Sequence, residues 1–314
     1  MLRVGLVGVG GLSGAHIPAW EAMEDVELTA LCDVRPEQME SHPAKHRYVD
    51  FDEMLEKETL DILDICLPTY LHADFAVKAM ARGINVICEK PISLKQEDVD
   101  RVYSTAHKMN VIFMVAQVVR FWPEYLTLKK LYDTGKFGRL LSGYMRRLGS
   151  IPGWSWDNWL KDEKRSGLIP YDLHIHDLDF MVYTFGKPKN VFSRRVKRPE
   201  QDYFSVIYDF EDFSVTAECS WYAGPYPFGA GFRFQFEKAV VEYAGGKFMI
   251  YHGDGTVEDL TDTPEGNTGE INLPKSNAYA DEIRYFTDCV KEDRFPDKVK
   301  PEELSTVIDI LNLL

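Results

Sequence analysis

The sequence is poor in the features that mark several common classes of protein. Its 314 residues include five cysteines and no C-x-x-C pair, which argues against a disulfide framework and a cysteine-rich zinc site. The longest nearly apolar run, residues 111–119, is far too short to span a bilayer. Lysine and arginine number 36 against 50 acidic residues, and the formal charge of −14 disfavours nucleic acid and anionic membranes as partners. We therefore expect a cytoplasmic protein that binds neither.

Up to about residue 119, short apolar runs alternate with helical patterns. The runs are rich in Val, Ile and Leu, as in parallel strands buried on both faces, and they cover residues 3–9, 28–33, 62–67, 85–88 and 112–116. Apolar residues at helical spacing predict helices over residues 72–82 and 95–109. This alternation predicts an α/β domain with a doubly wound parallel sheet over residues 1–119.

The pattern changes in residues 120–314, which we take as a second domain. From about residue 188 to 251, apolar residues recur at every second position, which is typical of antiparallel strands with one buried face. Residues 252–276 are rich in Gly, Asp, Thr and Pro and predict a loop, and helices are predicted near residues 277–290 and 301–314. The second domain is therefore predicted to be α+β. The last helix ends on two leucines without a capping signal, which favours a further C-terminal tail.

A glycine-rich turn follows the first predicted strand. Its spacing is G-x-G-x-x-[small], with Ser13 in place of the more usual third glycine, and it opens a helix whose amides can bind phosphate. Asp33, at the end of the second predicted strand, is placed to accept hydrogen bonds from an adenosine ribose. Its charge repels a 2′-phosphate and favours NAD, whereas Arg35 can offset that repulsion and leaves NADP open. The predicted cofactor contacts here are Gly8, Gly10, Gly11, Leu12, Asp33 and Arg35.

Two further segments carry a family resemblance. The first is LPTYLH at residues 67–72 followed by CEKP at 88–91, and the second is GLIPYDLHIHDLD at 167–179 followed by Phe185-Gly186. Together with the glycine-rich turn and Arg120-x-x-Pro123, they resemble the Gfo/Idh/MocA oxidoreductases, which include glucose–fructose oxidoreductase and inositol dehydrogenase. The resemblance covers nearly the whole chain, with its motifs in the expected order.

The resemblance implies a fold, an activity and three catalytic residues. The fold is an N-terminal Rossmann domain and a C-terminal α+β domain whose open, mostly antiparallel sheet often serves oligomerisation, so a homodimer or homotetramer is expected. The activity is NAD(P)-dependent oxidation or reduction of a sugar, polyol or inositol. Lys90 matches the active-site lysine, with Lys90–Pro91 as a candidate cis peptide; His176 matches the general base and Asp172 the acidic residue beside it.

These residue types suit hydride transfer between a secondary alcohol and nicotinamide. Histidine, with an ordinary pKa of about 6.5, can accept the alcohol proton near neutral pH. A lysine ammonium can stabilise the developing alkoxide, and a carboxylate can either orient the imidazole or hold the lysine. If a helix starts at Asp172, His176 follows one turn later on the same face.

The remaining site predictions concern two sets of residues, those that contact the cofactor and those that contact the substrate. For the cofactor they add Pro68, Thr69, His72, Glu89, Lys90 and Gln117. For the substrate they are Lys90, Arg120, Trp156, Trp159, Asp172, His174 and His176. His174 stands where the family commonly has glycine, and we expect it to reshape the pocket or contact substrate. The tryptophans form an aromatic segment that fits a core or an interface as well as a sugar-stacking wall.

Three other functions remain open. An enzyme like the family's NAD-dependent glycosidases would recycle bound NAD without net redox change. A non-catalytic NAD-binding regulator would not need Lys90, Asp172 and His176, whose presence argues against it. A metal-dependent hydrolase built on His174-x-His176-Asp177 is the least favoured, because the segment predicts a helix and no separate His/Cys cluster supplies further ligands. We therefore predict no metal site.

Overall fold

A six-stranded parallel sheet forms the N-terminal part of the protein. The computed structural model describes residues 1–261 and 277–314. The strands of this sheet are Leu2–Val7 (β1), Val26–Cys32 (β2), His46–Tyr48 (β3), Ile62–Ile65 (β4), Asn85–Glu89 (β5) and Phe113–Ala116 (β6). They lie in the order β3-β2-β1-β4-β5-β6, so the strand order reverses between β1 and β4. Sheets of this kind bind ligands at the carboxyl edge of that switch point.

The helices that connect these strands complete the doubly wound α/β fold that the sequence predicts. They are Ser13–Glu21 (α1), Phe51–Lys57 (α2), Thr69–Met80 (α3) and Gln96–Met109 (α4). Helices α3 and α4 correspond to the two predicted helices, although α3 begins three residues earlier. Strand β3 and helix α2 were not predicted. Both are short, and β3 consists of the polar and largely exposed segment HRY, which has no apolar run to mark it.

The second sheet has eight strands and is antiparallel except for one pair. Its strands are Leu140–Ser150 (β7), Asn190–Arg198 (β8), Gln201–Asp209 (β9), Ser214–Tyr222 (β10), Gly229–Phe236 (β11), Ala239–Ala244 (β12), Lys247–His252 (β13) and Val257–Asp259 (β14). The order is β14-β13-β12-β11-β7-β10-β9-β8, and only β7 and β10 of these neighbours run parallel. The α+β prediction is confirmed. The predicted loop over residues 252–276 is wrong at its start, where β14 pairs with β13, and residues 262–276 lie outside the described part.

Further helices cover the inner face of the second sheet and return to the first. They are Pro123–Asp133 (α5), Glu163–Ser166 (α6), Ile175–Phe185 (α7), Ala278–Lys291 (α8) and Pro301–Leu313 (α9). Tyr125 of α5 packs edge-on against Phe180 of α7 and Phe232 of β11, with ring centroids 4.9 and 5.0 Å away. Helix α8 packs on α1, and α9 packs on α4 and α7. The division into domains at residues 119 and 120 stays a prediction.

None of the helices in the described ranges combines the length and the apolar character that crossing a membrane requires.

Candidate active site

The glycine-rich turn joins β1 to α1 at the carboxyl end of the first sheet. Gly8 has a φ of +93°, and a Cβ atom there would lie 2.6 Å from the carbonyl oxygen of Cys66. The position therefore requires glycine, both for its backbone conformation and for the close approach of the chain that leaves β4. Ser13 is buried, and its hydroxyl donates to the carbonyl oxygen of Gly10 at 2.6 Å. The small residue in the motif thus ties the turn to the first turn of α1.

Asp33 follows β2 and faces the same turn. Its carboxylate is buried and accepts hydrogen bonds from the backbone N–H of Val9 at 2.8 Å and from that of Arg35 at 2.8 Å. The Nε atom of Arg35 lies 3.3 Å from the same carboxylate. A carboxylate and a guanidinium therefore stand side by side at the end of β2, where the sequence places the adenosine ribose.

The aromatic segment before α6 lies over this end of the cleft. A Cβ atom on Gly11 would lie 3.7 Å from the ring of Trp154, and the guanidinium of Arg35 lies 5.7 Å from the ring centroid of Trp156. Trp156 was predicted to contact substrate, but the structure places it beside a residue of the cofactor subsite. Trp159 is partly buried in the 3-10 segment that follows, and its contact with substrate stays a prediction.

Lys90 lies directly after β5 and reaches across to the second half of the chain. Its Nζ atom donates to the carbonyl oxygen of Asp172 at 2.8 Å and lies 3.5 Å from the carboxylate of the same residue. The Lys90–Pro91 peptide is cis, as the resemblance implies. The structure therefore brings together two residues of the predicted catalytic set, 82 positions apart in the sequence.

His176 lies on the first turn of α7, after a π-helical turn over Pro170–His174 that contains Asp172. Its Nδ1 atom is buried and has no hydrogen-bond partner among the described residues. Burial, together with the positive charges of Lys90 and Arg147, holds the pKa of His176 well below its ordinary value. The imidazole is therefore neutral at physiological pH, which is the form that accepts a proton.

Arg147 is a buried residue near the site that was not among the predicted site residues. In β7 Arg146 is exposed and Arg147 is buried. The guanidinium of Arg147 donates to the carboxylate of Asp177 and to the hydroxyl of Tyr125, each at 3.1 Å. Burial raises the pKa of Asp177 to about 6 despite this partner. The alternation along β7 was the signal that distinguishes the two arginines.

Arg120 was predicted to contact substrate, but the structure places it among protein partners, and the contact with substrate stays a prediction. Its guanidinium is fully buried and donates to both carboxylate oxygens of Asp179, at 2.8 and 2.6 Å. It also donates to the carbonyl oxygen of Lys298, and it forms an ion pair with Glu303. Every part of the fork is thus engaged by the protein, and Arg120 instead joins the segment after β6 to α7 and α9.

His174 was also predicted to contact substrate or to reshape the pocket, and the structure places it against the second sheet; its contact with substrate stays a prediction. Its side chain is fully buried, and Nε2 lies 2.5 Å from the hydroxyl of Tyr208 on β9. The imidazole stacks on the Tyr208 ring and meets Phe204 edge-on. His174 faces the second sheet, whereas the charge of Lys90 acts on His176 and lowers the pKa of His176. The two imidazoles therefore do not converge on a shared metal site.

The remaining cofactor predictions lie around the loops after β4 and β5. The ring nitrogens of buried His72 lie 2.7 Å from the carbonyl oxygen of Pro91 and 2.6 Å from that of Leu67, so this residue holds the two loops together. Glu89 is buried at the end of β5. Thr69 and Gln117 are buried and Pro68 is partly buried, and their contacts with the cofactor stay predictions.

These observations fit a dinucleotide at the first sheet. The turn at Gly8 has no room for a side chain, the amides at the start of α1 are positioned for phosphates, and Asp33 and Arg35 close the β2 end. The fold and the site thus define a protein of the dinucleotide-binding Rossmann class that carries a second, mostly antiparallel sheet.

The chain belongs to the Gfo/Idh/MocA oxidoreductase family. Residues 2–117 match the family's oxidoreductase profile with an NAD-binding Rossmann fold, and residues 125–242 match the GFO/IDH/MocA C-terminal domain.

Individual relatives differ in activity. The chain is 34% identical over 137 residues to 2,7-anhydro-N-acetylneuraminate hydratase of Mediterraneibacter gnavus, a match covering 44% of this chain and 36% of that protein. It is 28% identical over 192 residues to myo-inositol 2-dehydrogenase of Thermotoga maritima, covering 59% of this chain and 55% of that protein. The matched part of the chain thus spans about half the length of these relatives or less.

The whole fold is shared with solved structures. A levoglucosan dehydrogenase in complex with NADH superposes with a TM-score of 0.85 over 99% of this chain and 95% of that chain, at 18% sequence identity. At this identity the likeness concerns the fold.

Proposed function

We propose that the protein transfers hydride between NAD and a secondary alcohol or ketone of a sugar, polyol or inositol. The observation that carries this proposal is the grouping of Lys90, Asp172 and a neutral His176 at the carboxyl edge of a sheet that bears a dinucleotide turn. The bound nicotinamide supplies the hydride acceptor or donor. The protein residues have to position the reacting oxygen and handle its proton.

His176 is the proton acceptor in the oxidation direction. Its neutral imidazole takes the hydroxyl proton as hydride leaves the carbon, and it returns that proton when a ketone is reduced. Lys90 donates a hydrogen bond to the same oxygen and stabilises the negative charge that develops there. Of the two roles open to Asp172, the geometry supports holding the lysine, because its carboxylate lies 3.5 Å from the Lys90 ammonium.

The choice of substrate and cofactor is supported by the relatives and by the β2 end of the cleft. One relative is named a myo-inositol 2-dehydrogenase and another a D-glucoside 3-dehydrogenase, and both names indicate a ring hydroxyl as the reacting group. Asp33 favours NAD, while the Arg35 guanidinium beside it lets NADP serve as a second cofactor.

The test is a spectrophotometric panel of sugars, polyols and inositols with NAD and NADP in separate series. We expect NADH formation on at least one polyol, and we expect Lys90→Ala and His176→Ala to abolish it while NADH binding, measured by fluorescence, persists. Lys95→Ala, an exposed lysine after the same strand, is the matched control and keeps wild-type turnover.

Other outcomes of this panel contradict the proposal. Substrate conversion without net NADH points to an enzyme that recycles its bound NAD. Tight NADH binding with no conversion of any substrate points to a non-catalytic regulator. Near-normal turnover in either alanine variant removes the assigned roles.

We also propose that the protein is a homo-oligomer that associates through the outer face of the second sheet. On this face β8 and β9 present apolar side chains to solvent: Phe192 opposes Ile207, and Val196 opposes Tyr203. Arg194 and Ser205 lie on the same face between these two pairs. Exposed apolar side chains grouped in this way support a protein partner, and a second copy of the chain is the partner that the family resemblance implies.

We further propose that the protein works in the cytoplasm. All five cysteines are thiols, as expected in a reducing compartment.

A further inference from the structure

A chain of buried polar side chains crosses the first sheet from α1 to the residue before Lys90. His16, on the first turn of α1, places Nδ1 at 2.8 Å from the Asp64 carboxylate and Nε2 at 3.0 Å from the Glu89 carboxylate. The Nε1–H of Trp20 donates to the same oxygen of Asp64 at 2.7 Å. His16, Trp20 and Asp64 are completely buried, and Glu89 is nearly so.

The last hydrogen bond of this network involves the backbone of the active-site lysine. The second carboxylate oxygen of Glu89 accepts a hydrogen bond from the N–H of Lys90 at 3.1 Å. The first oxygen is the one that faces His16. Glu89 therefore binds His16 of α1 with one carboxylate oxygen and the backbone of Lys90 with the other.

The charges within this group favour a doubly hydrogen-bonded imidazolium. Burial opposes the charged form of His16, but the Asp64 carboxylate, with Cys66 beside it, outweighs that effect and holds the pKa of His16 well above its ordinary value. An imidazolium donates from both nitrogens, which matches a ring with a carboxylate on each side. A neutral ring would donate to one carboxylate and would leave the other facing a lone pair.

The surrounding elements add two further ionisable side chains. From α8, Glu282 is fully buried, and neither of its carboxyl oxygens has a hydrogen-bond partner in the part of the chain that the structure describes. Burial, together with the Glu89 charge, raises the pKa of Glu282 well above its ordinary value. Tyr279 of α8 packs its ring 5.8 Å from that of His16. The carboxyl groups within hydrogen-bond distance of the His16 ring are those of Asp64 and Glu89.

We propose that His16 is a positioning residue for Lys90, acting through Glu89 to hold the lysine backbone in line with the helix that receives the dinucleotide phosphates. This inference rests on the proposed function for its effect on turnover. Its structural part, the restraint on the Lys90 N–H, is independent of any substrate. Loss of the His16–Glu89 bond frees the Glu89 carboxylate and loosens the Lys90 backbone.

A metal ion is the competing explanation for the same residues. Ligand atoms of His16, Asp64 and Cys66 lie within 4.8 Å of one another, close enough to share an ion. Both imidazole nitrogens already face carboxylates, however, and burial raises the pKa of the Cys66 thiol to about 12, which disfavours the thiolate that a metal requires. Hydrogen bonding therefore accounts for the group more simply.

Two substitutions of His16 distinguish its hydrogen bond to Asp64 from its hydrogen bond to Glu89. In His16→Gln, the side-chain amide nitrogen takes the place of Nε2 and still donates to Glu89. In His16→Asn, it takes the place of Nδ1 and donates only to Asp64. Both variants lose the imidazolium and some volume, so a purely structural role predicts similar behaviour for the two.

We expect the two variants to differ in both backbone protection and turnover. Hydrogen exchange of the peptide that contains Lys90 should accelerate in His16→Asn and stay close to wild type in His16→Gln. With a substrate found in the panel, kcat should fall about 100-fold in His16→Asn, the scale of a small misplacement of a catalytic group, with KM for NAD little changed. His16→Gln should retain most of kcat.

A second variant covers the case in which His16→Asn does not fold. Glu89→Ala removes the link to Lys90 and leaves the sequence of α1 unchanged, and it should reproduce the fast exchange and the low kcat. If both His16→Asn and Glu89→Ala fold, the double variant should be no worse than either one, because both break the same connection.

Several results overturn the inference. Equal exchange and equal kcat in His16→Gln and His16→Asn show that the side chain only fills space. One equivalent of tightly bound metal in the purified protein, lost in both variants, shows a metal site instead. If the wild type turns over no substrate, the proposed function fails, and the exchange comparison still decides whether His16 restrains Lys90.

Discussion

His174 and His176 are two positions apart, yet they have opposite environments. His174 is sealed against Tyr208 and Phe204 of the second sheet, and burial together with the charge of Arg147 lowers its pKa to about 3. His176 lies near Lys90. His174 thus packs the turn that carries Asp172 against the second sheet.

Acid stability tests the burial of His174. The unfolded chain binds a proton at His174 near pH 6.5, but the folded chain resists protonation down to about pH 3, so stability falls as the pH drops through that window. At pH 4.5 this residue alone accounts for roughly 2 to 3 kcal/mol of lost stability relative to pH 7.5. The variant His174→Gln cannot titrate at this position but can still hydrogen-bond to Tyr208. Between pH 7.5 and pH 4.5 we expect it to lose less stability than the wild type does, by roughly the same 2 to 3 kcal/mol.

Urea unfolding at pH 7.5 and pH 4.5 measures the difference, and the exposed substitution His107→Gln on α4 serves as the control. Parallel pH dependence in wild type and His174→Gln would show that the imidazole is accessible to protons in the folded state.

At the level of elements, Arg120 acts as a joint between the segment after β6, α7 and α9. Its buried guanidinium is paired with Asp179 and Glu303 and bonds the carbonyl oxygen of Lys298. We expect Arg120→Met to destabilise the protein by about 3 to 5 kcal/mol, because it leaves the buried Asp179 carboxylate without its partner.

The control is Arg139→Met, which breaks an exposed pair with Glu237 and should change the free energy of unfolding far less than Arg120→Met does, because water already solvates both groups. Both values come from urea unfolding curves. A small effect at Arg120 would mean that water enters and solvates Asp179.

The turn between β1 and α1 is the second test at this scale. Gly8→Ala meets two obstacles, a positive φ and a backbone oxygen 2.6 Å from the new Cβ atom, so the turn has to move. We expect NADH affinity, measured by fluorescence titration, to fall at least about tenfold, which corresponds to 1.4 kcal/mol.

Gly83→Ala is a matched control, because Gly83 also has a positive φ (+78°) but nothing lies within 4 Å of its added Cβ. It should cost about 1 to 2 kcal/mol of stability without changing NADH affinity. Equal NADH binding by Gly8→Ala and the wild type would place the dinucleotide elsewhere.

For the whole molecule, the open question is what covers the outer face of the second sheet. Ile207 lies on this face opposite Phe192 and is 43% exposed. We expect Ile207→Glu to shift the protein from an oligomer to a monomer in sedimentation or light-scattering measurements, because a carboxylate cannot be buried unpaired in the interface.

Val49→Glu, at an exposed position on the first half of the chain, should leave the oligomer unchanged. A wild type that is monomeric at micromolar concentration would contradict the proposed association.

The sequence by itself determined the parts of this protein that depend on neighbouring residues. The alternation of apolar runs and helices, the glycine-rich turn with Asp33, and the period-two pattern of the second sheet were all readable, because backbone conformation and strand alternation are local properties. The short β3 and β14 were not, because they carry no apolar pattern of their own. Helix α2 has apolar residues at helical spacing, but it is only seven residues long.

Only the tertiary structure decided which polar side chains face the cleft and which are buried. Three polar residues are of types that are common in active sites, namely Arg120, His174 and Arg147. Each of them is hydrogen-bonded in the structure to a partner at least 22 positions away in the sequence. The contact of Lys90 with Asp172 and the chain from His16 to Glu89 likewise join distant segments. The burial and charge of a side chain depend on what packs against it, and that information is distributed over the whole chain.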